Sequence, residues 1–84
     1  MDDRTAFIVS GTLHQKISSS LRKGGVEDNE KNRDALMEIL VLHVAEAGST
    51  DGIEIRCYED YTYFGTDIYG VEIHKDGTIV PVGG

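Results

Sequence analysis

Residues 29–47 constrain the fold most, because they carry an apolar series at three- and four-residue steps that is closed at both ends by helix start and stop signals. Asp28 or Asn29 supplies an N-cap, Glu30 falls in the first turn where the helix dipole favours an anion, and Gly48 stands where a left-handed stop is wanted. Leu36, Ile39, Leu40, His43, Val44 and Ala47 line one side, and Asp34 and Glu38 mark the wet side. The pattern predicts an amphipathic helix over about 29–47 lying across a sheet. Met37, Val41 and Leu42 widen the apolar arc beyond a single contact, so residues 14–25 or another chain are expected to cover part of it. The sequence thus allows self-association into a homo-oligomer.

The flanking segments read mainly as strands. Residues 4–13 are rich in β-branched and aromatic side chains and predict a strand. Ile17 and Leu21 are one helical turn apart and Lys23-Gly24-Gly25 would end such a turn, but Ser18-Ser19-Ser20 favours helix weakly. Residues 14–25 are therefore expected to be a basic, mobile connection with at most a short helix. After the turn Ser49-Thr50-Asp51-Gly52, Ile53, Ile55 and Cys57 alternate with Glu54, Arg56 and Tyr58, as in a half-buried strand. Tyr61-Thr62-Tyr63-Phe64 reads as a further extended stretch. A two-residue Asp76-Gly77 turn would pair His74 with Ile79, Ile73 with Val80 and Val71 with Val82, placing Val71, Ile73, Val80 and Val82 on one face. Pro81 assigns the last strand to an edge. The expected fold is α+β: an antiparallel sheet of about four strands with one main helix packed on one face, in the order strand, helix, then three strands.

Size and charge narrow the function classes. A domain of 84 residues buries only roughly 60–65% of its unfolded surface, which leaves little room to enclose a large cofactor. The longest apolar run, Ile39-Leu40-Val41-Leu42, is far short of the ~20 residues that cross a bilayer, and Met-Asp-Asp-Arg lacks the order of a signal peptide, so a cytoplasmic protein without membrane contact is expected. The net charge is −7, and residues 34–84 set ten carboxylates against Arg56 and Lys75 alone. Such a field repels phosphate backbones, which removes most of the driving force for direct nucleic-acid binding, and it attracts basic surfaces.

No residue pattern points to catalysis or to a bound cofactor. His14, His43 and His74 have no sequence neighbours that single them out; His43 fits a satisfied structural role, and no ligand spacing for a metal is present. Cys57 alternates in phase with Ile53 and Ile55 and is expected to be a buried hydrophobe. The serines lack a strand–turn–helix nucleophile elbow, and no glycine loop runs into Lys-Ser or Lys-Thr. A non-enzymatic protein is expected.

The stretch 58–69 gathers five of the six aromatic residues among carboxylates, the composition of a protein-binding patch, although alternate aromatics there are expected to face the helix as core. Glu54, Tyr58, Glu59, Asp60, Tyr61 and Asp67 are the candidate contacts. They describe an acidic binding module that docks on a basic protein surface, such as an inhibitor that occupies the nucleic-acid-binding groove of its partner, as anti-defence proteins of mobile elements do. A second reading comes from Ile79-Val80-Pro81-Val82-Gly83-Gly84, which resembles the ends of ubiquitin-like sulfur carriers and protein modifiers. Over these six residues the resemblance implies a terminal carboxylate that is adenylated and then thiolated or conjugated.

Overall fold

The computed structural model describes residues 14–83. Helix α1 runs over 14–23 and helix α2 over Glu30–Ala47. Strands β1 (Glu54–Cys57), β2 (Tyr61–Gly65), β3 (Tyr69–His74) and β4 (Ile79–Gly83) follow. Each strand pairs antiparallel with its sequence neighbour, in the sheet order β1-β2-β3-β4. The chain has an α+β fold, but its order departs from the expected one: among the described residues two helices precede four strands. The strand expected over 4–13 lies outside the described residues, and the four-stranded sheet comes wholly from the C-terminal half.

Helix α2 forms where the local signals place it. Asn29 is the N-cap and its side chain accepts from the Asn32 backbone N–H at 2.8 Å, while Gly48 takes the left-handed stop at φ 73°. Leu36, Ile39, Leu40 and His43 are buried against β2 and β3, whereas Val41 and Val44 remain exposed. Asn32 is buried as well, and its amide donates to the Glu27 carbonyl at 2.8 Å, tying the helix start to the preceding loop.

Residues 14–23 form a helix and not the mobile connection that the serines suggest. Ile17 and Leu21, four apart, are fully buried, and each such side chain removed from water contributes about 1.5–3 kcal/mol, more than the weak propensity of three serines subtracts. The helix ends in a double cap. Val26 N–H bonds the Leu21 carbonyl and Gly25 N–H bonds that of Arg22, both at 3.1 Å, with Gly25 left-handed. Ile17 and Leu21 join Leu36, Leu40, Phe64, Val71 and Ile73 in one core, so α1 covers part of the wide apolar arc of α2.

The β3–β4 hairpin is shifted by one residue from the expected register. Ile73 pairs with Ile79, Glu72 with Val80 and Val71 with Pro81. The His74 N–H bonds the Thr78 carbonyl at 2.8 Å and the His74 carbonyl receives the Gly77 N–H at 3.0 Å, so the loop has three residues and Gly77, at φ 94°, sits in a left-handed bulge. One residue of slip exchanges faces: Ile79 packs toward the core and Val80 and Val82 fall on the opposite side. Among the described residues Pro81 does lie on an edge strand. Cys57 also departs from expectation. It sits at the end of edge strand β1 and is exposed, with Sγ 3.7 Å from the Gly24 carbonyl, because no further strand flanks it among the described residues.

Two turns carry carboxylates whose ionised form the fold favours. Arg33, hydrogen-bonded to Asp28 at 2.9 Å, holds the Asp28 carboxyl below its ordinary range, and the Thr78 backbone N–H does the same for Asp76. Both groups therefore add stability above the unfolded carboxyl range near pH 4, and that contribution disappears as the pH falls through their lowered folded values. The D28N/D76N double variant should lose less stability than the parent chain between pH 5 and pH 3. Urea midpoints at the two pH values check this, and parallel losses would refute it.

Candidate functional site

The sheet has two unlike faces. Toward the helices point Ile55, Thr62, Phe64, Val71, Ile73 and Ile79. Away from them point Arg56, Tyr61, Tyr63, Glu72, His74 and Val80, and among the described residues no helix or strand packs on that side. The aromatic cluster divides between the faces. Phe64 is core, and the Tyr69 hydroxyl donates to His43 Nδ1 at 2.7 Å on the helix side. His43 Nε2 donates in turn to the Asp51 carbonyl at 2.5 Å, so both ring nitrogens are satisfied and His43 clamps α2 to β3 and to the 49–52 turn.

The six candidate contacts separate into two groups. Tyr58, Glu59, Asp60 and Tyr61 form the tip of the β1–β2 hairpin, closed by the Tyr58 N–H on the Tyr61 carbonyl at 2.9 Å. The Lys75 backbone N–H bonds the Asp60 carbonyl at 3.0 Å, which fixes this tip against the β3–β4 turn. Glu54 and Asp67 lie toward the other end of the sheet, about 13 Å away along β1 by strand rise. There both carboxylates hold the Arg56 guanidinium, Asp67 at 2.5 Å, and the guanidinium lies over the Tyr63 ring at 5.4 Å from its centroid. The paired carboxylates raise the affinity of Arg56 for its proton.

At the tip the rings form a ladder. Tyr58 and Tyr61 lie 4.9 Å apart by centroid, and Tyr61 stacks on His74 at 4.9 Å. His74 Nε2 is 2.9 Å from Glu72 Oε1. Partial burial, with Glu72 and Tyr58 beside it, pushes the Tyr61 phenol above its ordinary range, so its hydroxyl stays protonated and able to donate. Tyr58, half exposed, is the outermost ring. Arg56, Glu72 and His74 belong to this face although residue type alone does not single them out. Their signal is the pairing register, since a hairpin centred on Glu59-Asp60 sets Arg56 opposite Tyr63 and Tyr63 opposite Glu72.

The other sequence motif, Gly83-Gly84, is placed in part: Gly83 is the last ladder position of β4, opposite Tyr69. Among the described residues no group of three or more His, Cys, Asp or Glu side chains gathers as a metal site would, and no helix is long and apolar enough to cross a membrane. Comparison with known families, curated proteins and solved structures finds no match, so the reading of this face rests on its own geometry.

Proposed function

We propose that this chain is a non-enzymatic acidic binding module that docks on the basic surface of a partner protein through the β1–β2 tip. The observation that carries the reading is the half-exposed Tyr58 ring beside Glu59 and Asp60, at the end of a sheet face that the helices leave open. Tyrosine supplies contact area at low entropic cost, and carboxylates beside it meet arginine or lysine with charge-assisted hydrogen bonds. The surplus of carboxylates over cations beyond residue 34 supplies steering toward such a surface. An inhibitor that blocks a nucleic-acid-binding groove is one use that suits these properties. Glu54 and Asp67, held by Arg56, serve the module by bracing the sheet.

The E59K/D60K variant tests this. Binding to a partner captured from the native host should weaken at least about tenfold, roughly 1.4 kcal/mol, and lose much of its salt dependence while the circular dichroism spectrum stays unchanged. Titration calorimetry at low and moderate salt measures it, and unaltered affinity at both would remove the tip from consideration.

A further inference from the structure

This inference rests on the docking role of the tip and names the group it takes. The open face already binds one arginine of its own. Arg56 lies over Tyr63 with Glu54 and Asp67 as its anionic partners, so ring, guanidinium and two carboxylates form one closed unit. At the hairpin tip the same ingredients recur: the Tyr58 ring, backed by Tyr61 and His74, with Glu59 and Asp60 next in the turn. The difference is the cation. Among the described residues no lysine, arginine or histidine forms an ion pair with Glu59 or Asp60, and no guanidinium lies over Tyr58.

From this parallel we infer that the tip is an arginine-selective site, in which a partner guanidinium stacks on Tyr58 and is flanked by Glu59 and Asp60. Arginine fits better than lysine for two physical reasons. Its planar group stacks on a ring face and sheds water more easily than an ammonium, and its fork of N–H donors reaches two carboxylates at once. The ladder behind Tyr58 contributes rigidity: with Tyr61 packed against one side at a 31° tilt and His74 stacked beyond it, the ring loses little freedom when a ligand covers it. His74 already faces Glu72, so that carboxylate is engaged and the selectivity resides at Tyr58.

Octa-arginine and octa-lysine peptides serve as probes, titrated into the full chain at low salt and followed by amide and aromatic NMR shifts. Octa-arginine should bind at least about threefold tighter, with the largest shifts at Tyr58 and Tyr61. The Y58A variant should bring the two peptides to equal affinity, and Y58F, which keeps the ring, should retain the preference. Equal affinities in the parent chain, still abolished by E59K/D60K, would overturn arginine selectivity while leaving the acidic docking tip intact. Failure of both peptides to bind would overturn both readings. A preference that survives Y58A would also refute the stacking site.

Discussion

Replacing Phe64 by alanine is expected to remove most of the stability of this domain. The ring is fully buried near the end of β2, where it meets the core residues of both helices and of β3. Its edge also lies against the α1–α2 connection so closely that a side chain at Gly24 would fall 2.6 Å from Cζ. Deleting a buried phenylalanine costs about 3–5 kcal/mol, the transfer free energy plus the cavity left behind. A small domain has only about 5–15 kcal/mol in total, and a chain of this size belongs toward the low end. With a urea dependence near 1 kcal/mol per molar, the midpoint should fall by about 3 M or more. The F64L variant, which keeps most of the volume, should lose less than half as much. A loss for F64A below about 1 kcal/mol would mean that the ring does not bridge helices and sheet as described.

That core also explains which parts of the fold were legible in the sequence. Helix α2 was legible to within a residue because its determinants are local: Asn29 bonds three residues ahead, Gly48 needs only its own backbone freedom, and Leu36, Ile39 and Leu40 declare a face by spacing alone. Helix α1 was not, because its serines disfavour it locally and its stability comes from distant partners of Ile17 and Leu21. The β3–β4 register is not legible in the sequence, for a related reason. Asp76-Gly77 suits both a two-residue turn and a three-residue turn with a left-handed glycine, and the two differ by one position in every pair downstream. Apolar parity did not decide between them, since Ile79, Val80 and Val82 offer apolar groups to either face.

The candidate site was legible as composition and not as geometry. Acids and tyrosines crowded into 58–69 announced an unusual surface, and Tyr58 through Tyr61 do form a continuous tip. Glu54 and Asp67 looked equally available by type. Only the pairing of β1 with β2 shows that Arg56, between them in space, engages both. A cation that sits two residues from one carboxylate and eleven from the other gives no one-dimensional sign of bridging them.

The Arg56 unit depends in turn on an empty position, and filling that position gives the second large effect. The Tyr63 ring lies across Gly70, and its hydroxyl donates to the Thr66 and Tyr69 carbonyls. A β-carbon at Gly70 would stand 2.4 Å from Tyr63 Cζ and Oη and 2.7 Å from the Phe64 carbonyl oxygen, one contact with a side chain and one with backbone. The G70A variant must therefore displace the ring, break its hydroxyl contacts and strain the β2–β3 pairing, at a cost of about 2–3 kcal/mol. Removing the ring relieves only part of this. The Y63A/G70A double variant should be less destabilised than the sum of its single variants, with a residual loss from the Phe64 carbonyl contact. Urea midpoints for the four chains measure the coupling, and a G70A loss under about 0.5 kcal/mol, or strict additivity, would show that Tyr63 does not rest on Gly70. The same variants separate bracing from docking. Tyr63 and Arg56 hold the middle of the sheet, whereas Tyr58 stands at its tip on a turn fixed by its own hydrogen bonds and by Lys75. Folded G70A protein should therefore bind octa-arginine as the parent does, because its lost stability comes from beneath Arg56 and leaves the outer ring of the ladder in place.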